Sequence, residues 1–301
     1  MEDASKTSDE PTLQSLSFTL CLFHVCPISV RGVSFGEVRA LSPYAIYSTI
    51  FSRNMWKGLF SISELIQLAS LLQLVRHNSV KKSVFGVSCD FSAFCWIYNV
   101  CSAVSALIYL LSPTIRSQYA ARYPLYPEFN TSAIILVLHL LGSAAATFFV
   151  FQVFVLHRRS IGGIETVSLL CKCVLVSYCG FLFWVLRSYV LHRATVNVLD
   201  VANCFWVLGA LSRAFMFVSQ ISVNWFFSKA CMLHRNFLLF QGLSLFFAFA
   251  GYEWAHFAGN QWYDIPTNAP ARAALALNSV CLLALTAQSY VYRSKKNYSN
   301  V

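Results

Sequence analysis

Charged residues are scarce in this sequence. Only 11% of its 301 residues are Asp, Glu, Lys or Arg, while 57% belong to the apolar set AVILMFWYC. An ordinary water-soluble domain carries roughly 25% charged residues. A chain of this length folded in water would need a far more polar surface than 22 basic and 12 acidic residues supply. The composition therefore excludes a soluble globular protein. The local signatures of soluble catalysis are missing too: there is no glycine-rich phosphate loop, no HExxH and no GxSxG. The 11 cysteines include no CxxC pair, and Cys21, Cys89, Cys101, Cys179, Cys204 and Cys281 stand singly in or beside apolar runs. Cys171 and Cys173, two apart, point to different faces of a helix and make a poor metal clamp. The cysteines read as packing residues rather than as a disulfide framework or a reactive thiol. Neither an enzyme nor a cofactor or metal site is expected.

What the sequence does contain is long apolar blocks. An α-helix needs about 20 residues, at about 1.5 Å each, to cross a hydrocarbon layer roughly 30 Å thick. Seven blocks reach that length: Met55 to Val75, Phe91 to Leu111, Ser132 to Leu156, Ile164 to Leu191, Val198 to Phe227, Phe237 to Phe257 and Ala271 to Val291. A weaker stretch, Leu16 to Val30, is broken by His24 and Pro27. It follows an acidic start and lacks the basic region of a secretory signal, so it reads as an interfacial or poorly ordered lead-in.

The net charge of +10 raises the question of a nucleic-acid partner, and the positions of the basic residues answer it. Alternate loops hold Arg76, Lys81 and Lys82, then Arg158 and Arg159, then Lys229 and Arg235, and finally Arg293, Lys295 and Lys296. The intervening loops hold fewer. Basic charge thus reads as topology within a lipid bilayer, with no nucleic acid as partner. By the positive-inside rule the C-terminus is cytoplasmic and, with seven spans, the N-terminus lies on the lumenal side.

Polar groups inside the spans are costly and are more often functional or paired than accidental. They are Glu64, Asp90, His139, Lys172, Arg213, Gln220, Gln241 and Gln288. Glu64 in the first span and Arg213 in the fifth are candidates to pair with each other. Asp90 precedes an apolar run, as does Ser88, and either suits a helix N-cap. Gln220 and Asn224, one helical turn apart, share a face and suit packing against a neighbouring helix. His139 and Lys172 read as snorkelling or carbonyl-bonded. Spans one to three and five to seven also share a layout: a span holding glutamine, a short basic loop, then two more spans.

Lys82, Ser83, Val84, Gly86, Ser88, Asp90 and Phe91 form a stretch that resembles the KSVxGxSxDF motif of the PQ-loop membrane proteins, and among them the cystinosin-like lysosomal cystine exporters. A second match runs Ser112, Pro113, Ile115, Arg116, Gln118, Tyr119, Arg122, Tyr123 and Pro124, and no gap is needed between Asp90 and Pro124. Gln220 to Asn224 is similar to the second PQ loop, and Tyr292-Arg293 to the end of the last helix. The resemblance covers roughly Ser61 to Lys296.

It implies an all-α membrane protein of seven helices, as two parallel three-helix bundles joined by a linker helix. The domains would be a lead-in over 1–54, a first bundle over 55–156, the linker over 157–196, a second bundle over 197–293 and a cytoplasmic tail over 294–301. It further implies a carrier that exports cystine or a related amino acid from a lysosome-like compartment, driven by protons. Substrate would be held near the midplane by Gln220, Asn224, Gln241 and one of Gln67 or Gln73. The family's acid in the first loop is kept as Asp90, with Glu64 as a second proton-coupling group.

The departures are specific. Ser219, Ile66 and Leu72 stand before Gln220, Gln67 and Gln73, so neither helix has the proline that bends it in the family. The other two acids of the family fall near Gln241 and Cys281, neither of them a carboxylate. These losses favour the competing expectation of a receptor or scaffold of the same architecture without transport. Asn130-Thr131-Ser132 is a glycosylation sequon close to the third span. Tyr298 to Val301 fits a tyrosine-based signal, which makes a sorting adaptor an expected partner.

Overall fold

A computed structural model describes residues 43–124, 132–158, 166–191, 196–227, 233, 235–257 and 269–298, with backbone alone at 43–54 and 293–298. The Leu16 to Val30 stretch lies outside the described residues, and the sequon and the tail signal at Tyr298 extend beyond them. The described chain is all-α. Its helices are α1 (Pro43–Lys81), α2 (Cys89–Leu111), α3 (Pro113–Arg122), α4 (Ala133–Phe151), α5 (Leu169–Val190), α6 (Val198–Phe227), α7 (Arg235–Phe257) and α8 (Arg272–Tyr298). Among the described residues 7 helices are long and apolar enough to cross a membrane, all but the short α3. The spans within these helices match the apolar blocks to within about six residues at either end. The helix that carries the first span begins at Pro43, ahead of the span itself, which starts at Met55.

The packing has an internal two-fold pattern. The two most extensive contacts are α2 with α6 and α1 with α7. Pairing α1 with α6, α2 with α7 and α4 with α8 as equivalents exchanges these two contacts. It likewise converts α1–α4 into α6–α8 and α2–α4 into α7–α8, all of which are present. In each half the third helix therefore sits with the first and second, and the halves meet through their first and second helices. Helix α5 packs mainly on α6, and only 11% of its spanning window is buried. Leu170, Val176, Phe183 and Trp184 on α5 are exposed, as suits a helix facing lipid at the edge of the bundle.

Two apolar clusters lie one above the other along the bundle. At the end carrying the 82–88 connection, Phe91, Phe149, Phe217 and Phe237 pack with ring centroids about 6 Å apart. At the opposite end Trp56, Phe60 and Tyr252 pack edge to face.

The two resembling motifs have structural work at opposite ends of α2. Helix α1 closes on Lys82 in the left-handed region (φ 49°), and Ser83 N–H donates back to Asn78 O at 3.4 Å. Gly86 follows with φ 81°. Ser88, not Asp90, is the N-cap of α2, its Oγ accepting from Phe91 N–H at 3.3 Å. Past α2, the short helix α3 docks on α6. Ile115 and Tyr119 are buried against Tyr109, Leu199 and Ala202, and Gln118 Oε1 accepts from Leu199 N–H at 3.1 Å. Arg122 donates to both oxygens of Asp200 at 2.6 and 3.2 Å, a hydrogen-bonded pairing that pushes the guanidinium above its ordinary range. Helix α4 ends in a π-turn, Gln152–Leu156, that sets Gln152 Nε2 on Val75 O at 3.0 Å and Ser79 Oγ at 2.6 Å.

A side chain at position 86 would be forced into a backbone region that L-residues enter only at about 1–2 kcal/mol. Gly86→Ala is expected to lower stability by about that amount, read as a reduced thermal unfolding midpoint of the detergent-purified protein.

Candidate functional site

The centre of the bundle holds a buried ionic cluster. Glu64 lies near the middle of α1, Tyr98 near the middle of α2, Arg213 near the middle of α6, and His139 on α4. All four are buried. Arg213 Nη1 donates to Glu64 Oε1 at 3.0 Å and to the Tyr98 hydroxyl at 2.8 Å. That hydroxyl donates in turn to Glu64 Oε2 at 3.2 Å. The guanidinium lies over the Tyr98 ring, 5.0 Å from its centroid. His139 Nδ1 stands 4.0 Å from Glu64 Oε2, with its ring edge-on to Tyr98. Removing two charges from water costs several kcal/mol each, and close pairing with added hydrogen bonds offsets it. The Glu64–Arg213 pair expected from the sequence is thus present, and it ties the first repeat to the second across the middle of the molecule.

Beside it is a small cavity, with about 20 Å³ open to the centre of a water-sized sphere. That is room for one or two waters. Glu64, Gln67, Asn99, His139 and Gln241 supply its polar lining, and Phe91 and Phe237 are among its apolar walls. Gln241 Nε2 donates to Ser70 Oγ at 2.9 Å, and one turn further along α7 Ser244 meets Ser63. Gly142 also lines the cavity, and its lack of a side chain matters: a Cβ there would lie 2.5 Å from Asn99 Oδ1.

The expected site residues fall into two groups. Glu64, Gln67 and Gln241 come together around this cavity. Asp90, Gln73, Gln220 and Asn224 do not line it. Gln73 is half-buried further along α1. Gln220 Nε2 donates to Gly86 O at 2.8 Å and to Asn224 Oδ1 at 3.0 Å, while its Oε1 accepts from Ser88 N–H at 3.0 Å. Asn224 Nδ2 donates to Gln288 Oε1 at 3.2 Å, and Gln288 Nε2 to Ile221 O at 3.2 Å. These amides latch the 82–88 connection of the first repeat onto α6 and α8. They satisfy backbone groups that the connection would otherwise bury unpaired, which leaves them no free face toward the cavity. Asp90 Oδ1 accepts from Ser168 N–H at 2.9 Å, and so fixes the segment entering α5 rather than capping its own helix.

No family model matches the chain. It is similar to an uncharacterized protein of Saccharomyces cerevisiae, YCL002C, with 24% identity over 246 residues that cover 77% of this chain and 92% of that protein. The similarity thus extends through most of both chains.

Tyr98 and Asn99 are the site residues that the sequence did not mark. Both are uncharged and sit in an otherwise apolar span, where tyrosine passes for a packing residue. The one signal was indirect: Glu64 and Arg213 needed further hydrogen-bond partners once buried, and a hydroxyl acting as donor and acceptor can serve both.

Removing one member of a buried ion pair leaves an uncompensated charge and costs about 3–5 kcal/mol, whereas replacing both with apolar groups of similar volume is often close to neutral. Arg213→Met and Glu64→Met are therefore expected to destabilise strongly as single changes. Arg213→Met with Glu64→Met should be milder than the sum of the two single-site losses. Thermal unfolding midpoints of the purified variants check this, and additive losses would refute the coupling.

Proposed function

We propose that the protein is an integral membrane carrier that moves a small polar solute, with cystine or a related amino acid as the class implied by its resemblance to the cystinosin-like proteins. The observation that carries the reading is the position of the polar cavity. It lies near the middle of the spans, against a buried ionic cluster that joins the two repeats, between the two aromatic clusters. A carrier that alternates between faces needs a central site that closes toward each side in turn. The Phe91, Phe149, Phe217 and Phe237 cluster supplies apolar closure on one side, and Trp56, Phe60 and Tyr252 on the other. The compartment is a lysosome-like one, with the N-terminus lumenal and the basic loops cytoplasmic, on the strength of the resemblance and the charge distribution.

A second reading, a receptor or scaffold that no longer transports, draws on the amide latch. Of the residues that the resemblance makes solute ligands, Gln220 holds the 82–88 connection to α6, and Asn224 links Gln220 to Gln288 on α8.

Flux separates the two. The purified protein in liposomes should take up labelled cystine or another amino acid faster than protein-free liposomes, and an imposed pH gradient should accelerate that uptake. Asp90→Asn should abolish the gradient dependence while the protein stays folded in the membrane. Equal gradient-driven uptake by the mutant would remove Asp90 from proton coupling. No uptake of any amino acid tested, with the wild-type protein intact, would favour the scaffold.

A further inference from the structure

Acceptor atoms predominate around the cavity. Gln67 Oε1 is buried without a hydrogen-bond partner, on a residue only 8% exposed. Asn99 uses its amide nitrogen on Cys95 O at 2.8 Å, and its Oδ1 stands over the space that Gly142 leaves open. Gln241 likewise commits its amide nitrogen to Ser70 Oγ. Its carbonyl oxygen is the acceptor that remains. Glu64 Oε1 is taken by Arg213, but Oε2 has the Tyr98 hydroxyl at 3.2 Å and His139 only at 4.0 Å, so it keeps acceptor capacity. His139 adds a ring N–H to the lining, so acceptors outnumber donors without excluding them, and the one orphaned buried atom among the lining residues is an acceptor.

Chemistry selects the occupant. A carboxylate would set oxygen against oxygen. A water brings two donors and no charge, so it reaches two of these oxygens at most. An ammonium group has three donors and no acceptor, which matches the lining. The size agrees, because about 20 Å³ takes a single nitrogen-sized group and not a whole amino acid. We propose that this pocket, formed by Glu64, Gln67, Asn99 and Gln241, binds the ammonium group of a small amine-bearing solute. The inference rests on the carrier reading for its role, since it names the part of the solute that enters the central site, but binding can be measured without transport. The ionic pair beside the pocket is neutral as a unit, so an incoming ammonium adds one positive charge. A solute that carries its own carboxylate offsets this charge, whereas a free ammonium ion does not.

The test is a titration of the full chain in lipid nanodiscs, read by thermal unfolding through tryptophan fluorescence. Methylammonium chloride, ammonium chloride, glycine and sodium acetate are compared at ionic strength matched with sodium chloride. Methylammonium and glycine are expected to raise the midpoint, and acetate is not. A larger shift with ammonium chloride than with either organic amine supports the pocket with the free ion as its occupant, whereas a larger shift with glycine supports a solute head group.

Gln67→Met should raise the half-saturating methylammonium concentration about tenfold or more, the loss expected when a hydrogen bond to a charged group is removed. Gln67→Glu keeps the acceptors, adds negative charge and should bind more tightly than wild type, and it decides the matter if the Met variant does not fold. An equal shift with acetate, unchanged titration in Gln67→Met, binding no tighter in Gln67→Glu, or no shift with amines at about 0.1 M would each overturn the proposal. Amino-acid flux without an amine-induced shift leaves the carrier standing and sinks this pocket. An amine-induced shift without flux does the reverse.

Discussion

A buried arginine in the middle of a membrane-spanning helix constrains everything around it. Arg213 cannot lose its charge at accessible pH, so it must be paired, and Glu64 on α1, across the repeat boundary, is its partner. The Tyr98 hydroxyl completes the cluster by accepting from the guanidinium and donating to the carboxylate. Because Glu64 and Tyr98 belong to the first repeat and Arg213 to the second, the cluster fixes how the two halves meet. Lipid offers no hydrophobic drive for helices to associate with each other. Packing of small residues and hydrogen bonds between helices must do it. The Ser63–Ser244 contact on α1 and α7 and the hydrogen bond from Ser105 Oγ to Ala202 O between α2 and α6 extend the same logic along the two main interfaces.

The molecule separates rigid attachment from the polar centre. At one end, the Gln220 and Asn224 amides hold a connection with two left-handed residues onto the second repeat. At the other, α3 clamps on α6 through Gln118, Tyr119 and Arg122. Between these anchorages the cavity has few hydrogen bonds and one orphaned acceptor. Of the residues that the resemblance would assign to substrate, Gln220 and Asn224 are hydrogen-bonded in the latch, while Gln67 and Gln241 line the cavity beside Glu64. This division is why the ammonium-accepting role is placed there and not at Gln220.

Legibility in the sequence varied with the physical origin of each feature. All seven spans were readable, because the length and hydropathy of an apolar run are local properties that the bilayer imposes directly. The start of α1 was not, since the residues before Met55 are too polar to announce a span and their helix continues one that lies within it. The Glu64–Arg213 pair was anticipated from the need to neutralise buried charge. The choice between Gln67 and Gln73 was open in the sequence, because both are glutamines on one helix, and only the rotation of α1 against its neighbours turns Gln67 to the cavity. Asp90 reads from the sequence either as a helix cap or as a proton carrier. Its actual bond, to Ser168 N–H nearly eighty positions away, depends on where the entry to α5 passes.

The sequence by itself determined that this is a helical membrane protein, where the seven spans among its described residues lie, which loops carry positive charge and that an acid and an arginine within the spans required each other. Those follow from the low charge fraction and from the free energy of placing single residues in hydrocarbon. Tertiary structure decided which polar residues share a space, because that depends on helix rotation and on contacts between residues far apart in the chain. It brought Tyr98, Asn99 and His139 to Glu64, engaged Gln220 and Asn224 in a hydrogen-bonded latch, and left a pocket in which one buried acceptor is unpaired.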